Sequence, residues 1–274
     1  MKQLFITDMD GTLLTSRCTV SEMSASIISR LTREGACITV ATARTPATVE
    51  PLMHDTHTSL PAIVMTGAAM WDRTLERYVC PQFFPGDLAI RCYDECRRAG
   101  LRPFVYQLED NRVLNLYFSD TPTSAESRFI AERNHTPYKR VHLLDHEVKN
   151  MHNTLLLFAI GSEPSVISAA ERLRGLGCSV SAYPDTYTDN IYFLEVFAPG
   201  VSKAAAVLRL KEMTGAQKVT VFGDNLNDIP MMEVADVAVA VANAQPQVLL
   251  VADEVIGTND EDSVALYIRR ALSE

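Results

Sequence analysis

Two carboxylates sit one residue apart in Asp8-Met9-Asp10-Gly11-Thr12-Leu13, directly after the apolar run Leu4-Phe5-Ile6-Thr7. In an extended segment residues i and i+2 project to the same side, so Asp8 and Asp10 can address one site while Gly11 lets the backbone turn away behind them. A second acidic run, Gly223-Asp224-Asn225-Leu226-Asn227-Asp228, follows the apolar Val219-Thr220-Val221-Phe222. Asp224 would complete an oxygen-ligand set for Mg2+, which takes carboxylates, carbonyls and water. Asp228 also has a local reading, because it precedes Ile229-Pro230 and is placed to cap a helix. Thr42, in Ala41-Thr42-Ala43-Arg44, offers a hydroxyl and nearby amides to a phosphate oxygen. Lys203, in Gly200-Val201-Ser202-Lys203, brings a cation to a helix start, where backbone N–H groups also favour anions. A carboxylate attacks an anionic phosphate ester only when cations offset the repulsion, so this mixture suits phosphoryl transfer. A paired-aspartate motif also occurs in metal-binding glycosyltransferases, but nothing in the chain suggests a nucleotide-sugar site.

The elements that would position these residues alternate. Residues 4–7, 37–41 and 62–65 read as short buried strands. Between them Ser21 can cap a helix with Ile27, Ile28 and Leu31 on one face and Gly35 at its end, and Thr45-Pro46 opens another. In the last third Ser202 caps a helix in which Ala205, Leu208 and Met213 recur at helical spacing. Strands follow at 219–222, 237–240 and 254–256, with helices from Pro230 and around Val264, Leu266, Ile268 and Leu272. This order predicts an α/β fold, a Rossmann-like parallel sheet with right-handed crossovers and helices on both faces. Ligands of such sheets bind beyond the carboxyl ends of strands, where both acidic motifs fall. The middle reads differently: helices at 87–98, 123–133 and 164–176, and strands at 102–108, 113–118, 154–160 and 179–183, with a hairpin loop at 109–112. That pattern is an α+β module on a partly antiparallel sheet, inserted into the first.

The chain has 274 residues, 47% hydrophobic and 22% charged, with a formal net charge of −9. The composition is that of a globular protein able to bury a substantial core, and the charge opposes a nucleic-acid partner, which needs clustered Lys and Arg. Six cysteines (18, 37, 80, 92, 96 and 178) include no CxxC pair, although Cys92 and Cys96 share a helix face, and read as reduced structural thiols. The absence of a signal-like apolar run or an 18-residue apolar stretch leads us to expect a cytoplasmic protein with no membrane partner, and nothing in the sequence leads us to infer an obligate protein partner. His54-x-x-His57 and His142 with His146 have spacings that could bind zinc on a helix, but no HExxH or cysteine partner accompanies them. There is no GxxxxGK[ST] and no GxGxxG. Trp71 and Phe83-Phe84 read as packing between the sheet domain and the insertion.

Taken in order, the Asp8 motif, Thr42, Lys203 and the Asp224 motif resemble the haloacid dehalogenase-like hydrolase superfamily, and most closely its Cof-type small-molecule phosphatases, subfamily IIB. The resemblance implies a catalytic core from residues 1–81 and 192–274, and an inserted α+β cap of the second (C2) type at 82–191. It also implies a Mg2+-dependent phosphatase of small phosphorylated metabolites, sugar phosphates in the first instance. Asp8 would be the nucleophile and a metal ligand. Asp10 would be general acid and then base, its carbonyl on the metal. Asp224 would be the remaining protein ligand, with Asp228 supporting the metal's water shell. The amide of Met9, with Thr42 and Asn227, would hold the phosphoryl group and Lys203 would neutralise charge. Ala43, Arg44 and Asn243 occupy family-like positions beside substrate or phosphate. Related sequences usually have Gly where Ala43 stands and Asn where Thr66 stands. A phosphomutase or phosphotransferase would use the same nucleophile, and a non-catalytic phosphate-ligand sensor is the alternative from another class.

Overall fold

The structure of the protein is a computed structural model that describes residues 2–118, 121–133, 137–143, 151–185, 188 and 190–273. The chain divides into two compact units, residues 1–79 with 202–274, and residues 80–201. Among the described residues no helix is long and apolar enough to cross a membrane.

The first unit is built on a five-stranded, all-parallel sheet in the order Glu254–Ile256, Val237–Val241, Lys218–Gly223, Gln3–Thr7 and Cys37–Val40. The central strands are apolar on both faces, as a sheet covered by helices requires: Leu4, Phe5, Ile6, Val219, Val221 and Phe222 are all fully buried. The helix Glu22–Arg33 starts where Ser21 accepts a hydrogen bond from the Ser24 amide at 3.0 Å. It buries Ile27, Ile28 and Leu31. The helix Lys203–Thr214 is capped in the same way, by Ser202 accepting from the Ala205 amide. Its buried face is Lys203, Ala206, Val207 and Leu210, whereas Leu208 and Met213 are exposed. Apolar spacing alone therefore misplaced the inner face of this helix, because a lysine occupies one of its inner positions.

A second, antiparallel sheet of three strands, Ala62–Val64, Ala69–Asp72 and Arg77–Val79, adjoins the first through a parallel bridge between Ala41 and Ile63. Trp71 packs edge-on to Tyr78 within it, and its indole donates to Glu50 at 2.6 Å. The turn between the first two of these strands places Met65 and Thr66 at φ 51° and 57°. Gly67, at φ +94°, follows, and a side chain there would strike the backbone carbonyl of Ser202. The turn is thus wedged against the start of the helix that carries Lys203.

The second unit is a six-stranded sheet in the order Ser179–Pro184, Tyr192–Phe197, Thr154–Gly161, Phe104–Glu109, Val113–Phe118 and Lys139–Leu143. All its pairs are antiparallel except the last. The strand Tyr192–Phe197 lies in this sheet, and the unit runs on to Val201, past the division at 191 drawn from sequence. Helices Leu88–Arg98 and Glu163–Gly175 bury Cys92, Cys96, Val166, Ala169, Ala170 and Leu173. On another part of the sheet Phe104, Phe158 and Phe193 form a ring cluster with Phe129 of the helix Ser124–Arg133. Cys92 and Cys96 share a buried helix face, and Cys92 meets Cys178 at 3.3 Å between sulfurs. Glu195, paired in register with Phe158, carries a carboxyl that burial pushes up from 4.5 to about 7, against the pull of a hydrogen bond from Tyr183.

Two outcomes follow from these strained or buried residues. Thr66 holds a β-branched side chain in the left-handed region, which Asn tolerates better, so Thr66→Asn should raise the unfolding free energy by about 1 kcal/mol. The denaturant midpoint would rise at unchanged slope, and a lower midpoint would show that the hydroxyl contributes more than the strain costs. Glu195 binds its proton more tightly folded than unfolded, so its contribution to stability is full below pH 4.5 and is lost as pH rises through about 7. The stability of Glu195→Gln relative to wild type should therefore increase from pH 5 to pH 8 in urea titrations. A constant offset at both values would mean that Glu195 titrates normally.

Candidate active site

The strands Gln3–Thr7 and Lys218–Gly223 are parallel neighbours with Thr7 opposite Phe222, so the two acidic motifs leave the sheet side by side at their carboxyl ends. Asp8 stays in line, its amide donating to the Phe222 carbonyl at 2.9 Å. Gly11 then turns the chain at φ +78°, and a Cβ there would lie 2.5 Å from an Asp224 carboxylate oxygen. The glycine lets the first loop pack directly on the second. Thr12, buried at the same turn, donates its hydroxyl to Asp224 at 2.8 Å.

Asp228 does not cap the helix Ile229–Glu233; its backbone is already helical and its side chain makes no such bond. One oxygen instead turns back to accept the Asp224 and Asn225 amides, both at 3.1 Å. The other accepts from Lys203, whose Nζ stands 2.7 Å from Asp228 and 2.5 Å from Asp8. Lys203 is only 2% exposed and Asp228 is fully buried. Oxygens of Asp8, Asp224 and Asp228 all lie within 4.8 Å of one another.

The electrostatics follow from burial. Desolvation pushes Asp8 up to about 7; Lys203 opposes the rise, and Asp228 and Asp224 reinforce it. Burial likewise pushes Asp224 up to about 6, with the Thr12 hydroxyl pulling down and Asp228 pushing up. Burial alone would lower Lys203, but Asp8 and Asp228 outweigh it and the ammonium holds its proton more firmly than in water. With all three carboxylates ionised against one ammonium, the cluster is short of two positive charges. An all-oxygen donor set with that deficit fits a hard divalent cation such as Mg2+.

The remaining candidates lie around this cluster. The Asp10 side chain is exposed and paired with Arg44, which donates from Nε at 2.8 Å and from Nη2 at 2.6 Å. Thr42 is buried at the end of the neighbouring strand, its hydroxyl oxygen accepting the Arg44 amide at 3.1 Å. Ala43 is exposed beside it and Met9 is buried. Asn227 is exposed on the turn Leu226–Asp228. Both ends of the Asn243 amide are engaged, Nδ2 donating to the Gly11 carbonyl and Oδ1 accepting the Asn259 amide. His54 and His57 fall beyond the helix Pro46–Leu52, and His54 pairs with Asp55. His142 pairs with Asn115 on a strand of the second unit, and His146 lies outside the described residues. Thr12 was overlooked as a site residue, and its position two residues after Asp10 and next to the turning glycine is the clue that could have found it.

Residues 5–268 match the family of haloacid dehalogenase-like hydrolases. The chain is 26% identical over 271 residues, 97% of this chain and 94% of the relative, to the 5-amino-6-(5-phospho-D-ribitylamino)uracil phosphatase YcsE of Bacillus subtilis. It is 25% identical over 272 residues, 95% of each chain, to the pyridoxal phosphate phosphatase YbhA of Escherichia coli. A solved structure described as the HAD subclass IIB sugar phosphatase BT4131 superposes with a TM-score of 0.73 at 18% identity, covering 99% of each chain.

Removing the buried ammonium tests the electrostatic account. Lys203→Met in EDTA at pH 8 should lose about 3 kcal/mol of stability, because two buried carboxylates are left without their counter-charge. The loss should shrink at pH 5, where Asp8 enters the site protonated. Equal losses at both pH values, read by urea unfolding, would attribute the effect to packing alone.

Proposed function

The chain belongs to the haloacid dehalogenase-like hydrolase family, and from that premise we propose that it is a Mg2+-dependent phosphatase of small phosphomonoesters acting through an aspartyl-phosphate on Asp8. The observation that carries this reading is the buried Asp8–Lys203–Asp228 array with Asp224 beside it at the ends of adjacent strands. In this reading Lys203 holds one Asp8 oxygen and orients the carboxylate, whose other oxygen attacks phosphorus. Asp10 protonates the leaving oxygen and afterwards takes the proton of the attacking water. The hydroxyl of Thr42, whose oxygen already accepts the Arg44 amide, keeps its hydrogen for a phosphate oxygen. The Met9 amide and Asn227 complete the cradle. The metal would sit on Asp8, Asp224 and the Asp10 carbonyl, with Asp228 behind them, and would supply charge neutralisation for the phosphoryl oxygens.

Chemistry would then belong to residues 1–79 and 202–274, and the choice of leaving group to residues 80–201. Sugar phosphates are one candidate class. The two relatives named above act on esters that carry a nitrogen ring, so those compounds belong in the same test. An alcohol acceptor in place of water would make the protein a phosphotransferase with the same nucleophile.

A panel of sugar phosphates, pyridoxal phosphate and p-nitrophenyl phosphate, with Mg2+ or with EDTA, should show phosphate release that needs the metal. Asp8→Asn should reduce it at least about 10^3-fold, the scale expected when a nucleophile is lost. Phosphate release by Asp8→Asn at the wild-type rate would sink the covalent mechanism. Ester loss outpacing free phosphate would favour transfer to another acceptor, and no turnover of any ester would favour the sensor.

A further inference from the structure

We infer that Arg44 is the positioning residue for Asp10 rather than a ligand of the phosphate, an inference that rests on the aspartyl-phosphate reading above. The contact is a two-point fork, Nε to one carboxylate oxygen at 2.8 Å and Nη2 to the other at 2.6 Å. Two parallel bonds from a planar guanidinium fix the distance of a carboxylate and its rotation about its own axis, which a single ammonium cannot do. Among the described residues no other side chain hydrogen-bonds Asp10. Its backbone, at φ −72° and ψ 119°, is not helical although it lies in a tight turn, and its side chain is 52% exposed. Without Arg44 the carboxyl would be free to sample its rotamers, and a proton donor is useful only within hydrogen-bond reach of the leaving oxygen.

The arginine is itself anchored. Its amide donates to the Thr42 hydroxyl oxygen at 3.1 Å and its carbonyl accepts the Met65 amide at 3.0 Å, so its backbone is held from two sides. A phosphate ligand in this place would point its guanidinium at the buried cluster of Asp8, Asp224 and Asp228. Arg44 instead spends both of its aligned donors on Asp10.

The pairing is compatible with every state Asp10 passes through. When Asp8 attacks phosphorus, the P–O bond to the leaving group breaks and its electron pair takes the proton from Asp10, giving the free alcohol and the phosphorylated Asp8. Water then attacks phosphorus, gives a proton to Asp10, and the Asp8–P bond breaks to release phosphate. Over the cycle Asp10 gives one proton and takes one back. While protonated it uses one oxygen as donor to the ester and keeps the other as acceptor for Arg44. One prong of the fork therefore survives when the second is released, and the carboxyl stays aimed throughout.

The role separates from its rivals by leaving group. An alkyl ester needs its departing oxygen protonated, whereas p-nitrophenolate leaves as a stable anion. The expected result for Arg44→Met, with Mg2+ present, is a fall in kcat/KM of about 100-fold on the alkyl phosphate that wild type hydrolyses fastest, the lower end of what a general acid supplies. The kcat/KM on p-nitrophenyl phosphate, which reads only the steps up to departure of p-nitrophenolate, should change little, while its kcat falls because Asp10 is also the base for hydrolysis of the shared aspartyl-phosphate. Arg44→Lys should recover only part of the alkyl rate, and guanidinium ion in the buffer should restore part of it to Arg44→Met. A KM rise shared by both esters would overturn the inference in favour of a phosphate contact. Equal loss of kcat/KM on both without a KM rise, with a lowered melting temperature and no rescue, would reduce Arg44 to a structural role. If Asp8→Asn remains active, the covalent reading itself fails and the role of Asp10 with it; failure confined to the Arg44 variants overturns this inference alone.

Discussion

An ammonium buried among three carboxylates is the constraint on which the first unit depends. Lys203 lies 195 residues from Asp8 along the chain and 2.5 Å from it in space. A lone charge at that depth would be prohibitively costly, so its partners must be supplied in register: Asp8 by the first strand, Asp228 by the loop after the third, and Lys203 by the first turn of a capped helix. Two close approaches make this possible. Gly11 lets the first loop rest on Asp224, and Gly67 lets the turn after Ala62–Val64 rest on the carbonyl of Ser202. Each approach excludes a side chain, so the geometry of the cluster is set by backbone against backbone as much as by charge.

Two residues apart, Asp8 and Asp10 live in opposite surroundings. The first is buried and tied to an ammonium; the second is exposed and held by a guanidinium at the rim. Equal side chains acquire different work when their environments differ in this way. The division arises from the strand's end: Asp8 continues the ladder through the Phe222 carbonyl, and Asp10 has already entered the turn.

Much of this was legible from residue order. The strand–helix alternation, the Ser21 and Ser202 caps and the place of both acidic motifs follow from local patterns that need no partner to be recognised. What escaped depends on contacts between distant segments. Asp228 reads both as a helix cap and as support for a metal's water shell, but its bonds to Lys203 and to the preceding loop are not visible in the sequence. The inner face of the helix Lys203–Thr214 includes a lysine and leaves Leu208 and Met213 outside, against any apolar periodicity. The strands Ala69–Asp72, Arg77–Val79, Lys139–Leu143 and Tyr192–Phe197 were not anticipated. Two are only three or four residues long, a third carries Lys, Arg and His, and the last lies beside a domain boundary drawn too early.

The strand order of the parallel sheet has a consequence for how the protein is made. Gln3–Thr7 leaves the ribosome about two hundred residues before one of its two sheet neighbours, Lys218–Gly223. Residues 80–201 form one uninterrupted stretch and can be completed while the surrounding sheet still lacks three of its five strands. At about 5–20 residues per second, Asp8 therefore waits on the order of ten seconds or more for the lysine that neutralises it. During nascent-chain growth the middle of the sequence can settle first, and the apolar opening strand must be shielded until the end arrives.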